Sequence, residues 1–103
     1  MQHGGRRVAV RYLVLLARPN ALDHDRLGII ASRRLGNAVQ RGRAKRRIRA
    51  RFRLQEPDTT KARGDVALDL VVIPRRELVD APHTALAAEF TAALQKVRRA
   101  HAV

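Results

Sequence analysis

The 103-residue chain has no cysteine, no tryptophan, one tyrosine and two phenylalanines. Without cysteine there is no disulfide and no thiolate metal site, which suits a reducing cytoplasm, the expected location. So few aromatics leave little for stacking unpaired bases. Long apolar runs are also absent. The longest, Tyr12 to Ala17, is far too short to span a bilayer, and the polar, glycine-rich opening has no secretory signal pattern. No membrane-spanning segment, and so no integral membrane partner, is expected. Acidic residues are scarce, with 9 Asp and Glu against 22 Lys and Arg, a formal charge of +13. That balance points to an anionic partner, either nucleic acid or an anionic membrane surface. Arginine greatly outnumbers lysine, and its planar fork suits phosphate and bases. A hydrophobic content of 46% in a chain of this length predicts one folded domain over 1–103 with a modest core.

The positive charge is concentrated. Residues 33–53 read RRLGNAVQRGRAKRRIRARFR and hold ten of the 22 basic residues with no Asp or Glu. Like charges at helical spacing repel one another. A polyanion relieves that repulsion, and phosphate backbone does so with release of condensed counterions.

Periodicity predicts five elements. Val8–Ala17 is rich in β-branched and aliphatic residues and reads as one strand, with Val8, Val10, Tyr12, Val14 and Leu16 on one face. Arg18-Pro19-Asn20 ends it. Arg26–Ser32 reads as a second strand, antiparallel to the first across a short link. Asn37 is placed to cap a helix over Ala38–Leu54. In it Ala44, Ile48 and Phe52 form a narrow apolar stripe, and Arg46, Arg49 and Arg53 lie opposite. Glu56–Asp65 reads as a loop and Val66–Pro74 as a third strand, with parallel pairing across the helix. Pro82 opens a last helix with an apolar stripe of Leu86, Phe90, Ala93, Leu94 and Val97. The order is β-β-α-β-α, an α+β fold in which a small sheet is sandwiched with helices. Residues 1–7 read as a frayed, disordered or truncated start.

Catalytic candidates are few. The nine carboxylates form no acid/base spacing, the four histidines are scattered, and Ser32, the only serine, lacks a nucleophile-elbow context. No phosphate-cradling glycine loop is present. The basic helix is therefore the functional element, and its N-terminus near Asn37–Val39 adds amide donors suited to phosphate. Tyr12 and Leu16 read either as core or as a surface for unpaired bases.

The run Gly36-Asn37-Ala38-Val39-x-Arg41-x-Arg43-x-Lys45-Arg46-x-x-Arg49 resembles the signature of the bacterial ribonuclease P protein component, G-N-A-V-x-R-N-R-x-K-R-x-x-R-E. Leu27–Ser32 followed by Arg33 and Arg34 resembles the family's lead-in. Gly5-Arg6-Arg7, Tyr12–Leu16, Ile73-Pro74-Arg75 and the last helix extend the likeness over roughly residues 5–98. Gly42 stands where the family has Asn, and Ala50 where it has an acid.

The resemblance implies a protein that joins a catalytic RNA subunit and a precursor tRNA to remove the 5′ leader. The chemistry would belong to the RNA and its Mg²⁺ ions, with no obligate protein partner. Carried over by position, Arg33, Arg34, Asn37, Arg41, Arg43, Lys45, Arg46 and Arg49 are the implied RNA contacts, and Tyr12, Leu16 and Ser32 the implied leader cleft. No catalytic residue is implied on this chain, and a metal site on it is left open. The implied fold is a split β-α-β unit with a left-handed crossover, shared with the second domain of a small-subunit ribosomal protein. The family's opening helix is expected to be missing. The competing readings are a ribosomal-type structural RNA-binding protein, a DNA-binding architectural module and a nuclease acting alone.

Overall fold

The computed structural model describes residues 5–55 and 66–100. Met1–Gly4 and the expected loop at Glu56–Asp65 lie outside the described residues. Four strands form one sheet: β1 (Arg6–Ala9), β2 (Leu13–Pro19), β3 (Arg26–Ile29) and β4 (Leu68–Pro74). Two helices accompany them, α1 (Ala38–Gln55) and α2 (His83–Ala100). Short 3₁₀ turns at Arg33–Leu35 and Arg76–Asp80 precede and follow the α1–β4 unit.

The spatial order is β1-β2-β4-β3. β1 pairs antiparallel with β2, β2 antiparallel with β4, and β3 parallel with β4. The expected parallel pairing across α1 is thus present. The β2–β3 pairing is not, because β4 inserts between them; what is split is the succession of β2 and β3. The two strands joined through α1 are direct neighbours.

One expected strand is two, so the order is β-β-β-α-β-α. The run Val8–Ala17 turns back at Arg11 and Tyr12, where Val10 N–H donates to the Leu13 carbonyl at 2.9 Å. Tyr12 is held from outside the hairpin. Its N–H donates to Glu89 Oε1 at 3.0 Å, and its carbonyl accepts from Arg75 N–H at 2.8 Å. Arg6 and Arg7, expected to be frayed, begin β1 and pair with Ala17 and Leu16.

Strand alternation then sorts the residues by face. Leu13, Leu15, Ala17, Leu68, Leu70 and Val72 are buried in one core cluster with Ala44 and Ile48 of α1 and the stripe of α2. Both helices bury residues in that single cluster, so the expected α+β fold, with helices packed on a small sheet, has two layers. Val14, Leu16, Asp69, Val71 and Ile73 alternate with the core set and face the other way. The five residues expected on one face therefore divide. Val8, Val10 and Tyr12 go with the core, and Val14 and Leu16 do not.

A polar knot fixes the open end of the sheet. Arg26 donates to Asp69 through Nε (2.7 Å) and Nη2 (2.8 Å), and Asn20 Nδ2 donates to Asp69 Oδ1 at 3.0 Å. These donors hold the Asp69 carboxyl down at about 2, the Arg26 bond being the largest cause and the Asn20 bond the next. A depressed carboxylate adds stability above its unfolded value near 4, and that stability vanishes as pH falls through about 2. Asp69→Asn is expected to unfold at lower denaturant than wild type at neutral pH, by a small margin for so exposed a pair. The two midpoints should converge between pH 4 and 2, as a denaturant series across that range would show.

Candidate nucleic-acid interface

The site is built on the start of α1. Asn37 Oδ1 accepts from Gln40 N–H at 2.9 Å, and Gln40 Oε1 accepts from Asn37 N–H at 2.8 Å. This reciprocal capping box satisfies two donors that a helix start leaves unpaired. It needs Gly36, which sits at φ 129°, ψ −154°, a region closed to side chains. A Cβ there would lie 1.7 Å from Gln40 Oε1. Gly36→Ala is therefore expected to open the box and cost about 2 kcal/mol, between the loss of a cap and the strain of the angle. Thermal unfolding of the single variant measures it. Arg41 completes the corner, donating from Nη1 to the Gly36 carbonyl at 2.8 Å.

Ala44 and Ile48 are fully buried and set the rotation of α1. The opposite arc carries Arg46, Arg49 and Arg53, all exposed, with Arg43 at its margin. Among the described residues no carboxylate makes an ion pair with any of these cations; the ion pairs there lie elsewhere, at Asp23, Asp25 and Asp69. Val39 is 75% exposed within the same arc. Gly42 also lies there, and a Cβ on it would stand 3.3 Å from Arg46 Nη1.

Not every arginine of the run is outward. Arg47 donates from Nη1 to the carbonyls of Leu78 (2.7 Å) and Val79 (3.2 Å), and from Nη2 to that of Ala81. Arg43 donates from Nε to the Val79 carbonyl at 2.8 Å. These two clamp α1 to the 3₁₀ turn ahead of α2. Burial, more than the neighbouring Arg43 and Arg51 charges, lowers the Arg47 pKa, and Asp80 works the other way. The clamp was not legible in the sequence, where Arg47 is one cation among many.

The eight expected RNA contacts thus occupy different settings. Arg46 and Arg49 are exposed on the arc, and Arg43 is exposed but tied at Nε. Arg33 and Arg34 are exposed on the first 3₁₀ turn. Lys45 and Arg41 are half-buried, and Asn37 is occupied as a cap. Arg53 joins the arc from outside the motif.

Tyr12, Leu16 and Ser32 are not brought together. Tyr12 is 5% exposed and belongs to the helix-covered core. Ser32 is exposed beyond the end of β3. Leu16 lines a groove of about 580 Å³ on the opposite face of the sheet, with Val71 as floor and Arg6, Arg7, Arg18 and Asp69 around it. Among the described residues, no group of three or more His, Cys, Asp or Glu is placed to hold a metal, and no helix is long and apolar enough to cross a membrane.

Comparison with known proteins gives a consistent result. The family described as Ribonuclease P matches residues 1–98. The ribonuclease P protein component of Thermotoga maritima is 39% identical over 74 residues, covering 72% of this chain and 59% of that protein. The Staphylococcus haemolyticus component is 41% identical over 76 residues, covering 74% and 61%. The chain thus spans about three fifths of the length of these curated relatives. Among solved structures, the Staphylococcus aureus RNase P protein superposes with a TM-score of 0.74 at 33% identity, covering 91% of this chain and 82% of that one. The Thermotoga maritima RNase P protein gives 0.72 at 30% identity, covering 89% and 83%.

Proposed function

The chain belongs to the bacterial ribonuclease P protein family, and on that premise we propose that it is the protein subunit of a ribonucleoprotein that removes the 5′ leader of precursor tRNA. Its RNA partner performs the hydrolysis. The protein binds that RNA through the outer arc of α1 and the arginines of the first 3₁₀ turn. The observation that carries this reading is the arc itself. Arg46, Arg49 and Arg53 are exposed on one side of a rigid, capped helix, with no carboxylate among the described residues to neutralise them. Phosphate contacts of this kind position an RNA without reading its sequence.

The 5′ leader is assigned to the groove on the open face of the sheet. Leu16 and Val71 supply an apolar floor there, and Arg7 and Arg18 supply charge for a single strand's phosphates. Tyr12, buried in the core, is left out of that surface. Mg²⁺ enters through the RNA; among the described residues no group of three or more His, Cys, Asp or Glu is placed to hold it. The cytoplasm is the compartment in which these partners meet.

The test is selectivity across a salt series. The full chain should bind its host's catalytic RNA more tightly than a ribosomal RNA fragment or duplex DNA of equal length, with a steep log–log salt slope. Equal affinity for the ribosomal fragment would favour a structural RNA-binding protein, and equal affinity for the duplex would favour a DNA-binding module.

A further inference from the structure

A second basic concavity borders the outer arc, between α1 and the start of α2. It encloses about 230 Å³ and is lined by Arg46, Arg47, Ala50 and Arg51 from α1 and by His83 and Leu86 from α2. No carboxylate lines it. Three of its six residues are arginines. We infer that this groove is a further phosphate-binding position, in which Arg51, Arg46 and His83 hold one backbone phosphate of the RNA. The inference rests on the RNA-subunit reading and extends the interface past the G-N-A-V motif, to which neither Arg51 nor His83 belongs.

The division of labour among the arginines supports it. Three of the five N–H donors of Arg47 serve the carbonyls of Leu78, Val79 and Ala81, so it contributes charge but is held in place. Its charge is felt by its neighbours, since Arg43 and Arg51 both depress its proton affinity after burial has done so. Asp80 offsets this only in part, from outside the groove lining. Arg51 is half-buried and has no hydrogen-bonded or ionic partner among the described residues. The first turn of α2 carries no acidic residue, so nothing there compensates the amide end of the helix. Leu86 and Ala50 give the groove an apolar back against which a ribose can lie. Arg46 belongs both to the groove and to the exposed arc, so one RNA strand can run from one to the other. A tetrahedral, multiply accepting anion suits several guanidinium donors converging from different directions.

The test uses the full chain and inorganic phosphate as the probe. Phosphate is titrated while NMR follows the His83 ring and the Arg51 Nε–H. Wild type should show saturable shifts confined to the groove, and Arg51→Gln should weaken them tenfold or more. In RNA binding, Arg51→Gln should lower the log–log salt slope by about 0.9, the share of one phosphate. Arg51→Lys, which keeps the charge, should retain most of the slope, and circular dichroism checks that each variant is folded. Shifts that do not saturate, or that ignore Arg51→Gln, overturn the site. Saturable shifts with an unchanged RNA slope overturn the RNA assignment and identify a site for free phosphate or a nucleotide. Failure of wild type to bind the catalytic RNA would sink the parent reading separately, since the phosphate titration does not depend on it.

Discussion

Arg98→Met is expected to destabilise the protein by about 3 kcal/mol, at the lower end of what breaking a buried ion pair costs. Arg98 donates from Nη2 to Asp25 Oδ2 at 2.6 Å, and the Asp25 side chain is fully buried. Asp25 Oδ1 also accepts from Leu68 N–H at 2.8 Å. One carboxylate therefore joins the last turns of α2 to the start of β4, from a position just ahead of β3. Removing the guanidinium leaves that charge in the interior with one neutral donor. Arg98 Nη1 is itself buried without a partner among the described residues, so the pair is costly as well as cohesive. The double variant Asp25→Asn with Arg98→Met should lose less than the sum of the single variants, because Asn keeps the acceptor for Leu68 and buries no charge. Urea midpoints at constant slope give all three values.

Replacing Arg46 and Arg49 together by Gln should lower affinity for the catalytic RNA about 100-fold near physiological salt. Two charge-assisted contacts at roughly 1.5 kcal/mol each account for that factor. The log–log salt slope should fall by about 2, and the fold should be unchanged, since both side chains are exposed and bonded to nothing among the described residues. Arg43→Gln and Arg47→Gln should behave differently. Arg43→Gln loses one hydrogen bond to the 3₁₀ turn and Arg47→Gln loses three to the turn and the residue after it, so each lowers stability as well as RNA affinity. Binding and unfolding measured on the same samples separate the two classes. Cations that look alike in sequence thus divide into RNA contacts and structural clamps.

Local periodicity made much of this molecule legible. α1, α2 and β4 announce themselves through stripes at helical spacing and through alternation, and every residue of the α2 stripe is buried. The helix start at Asn37 is legible because a capping box is a short-range device. The hairpin at Arg11 and Tyr12 is not. It contains no Gly or Pro, and its backbone is held by Glu89 and Arg75, which lie far along the chain. Once that turn is missed, the faces of Leu13–Ala17 come out reversed, because a one-residue change in phase moves every side chain across the sheet. That is why Tyr12 and Leu16 looked like partners. The Arg47 clamp and the buried Asp25–Arg98 pair were hidden for a related reason. Their meaning depends on carbonyls and carboxylates 31 to 73 residues away, which local patterns do not report.

The most direct measurement of the central claim is reconstitution. The purified protein is mixed with its host's catalytic RNA at low, near-physiological Mg²⁺, and release of the 5′ leader from a precursor tRNA is followed. Wild type should stimulate release, cleave nothing without the RNA, and lose its stimulation when Arg46 and Arg49 are both replaced by Gln. No stimulation by wild type, or full stimulation by the double variant, would contradict the account.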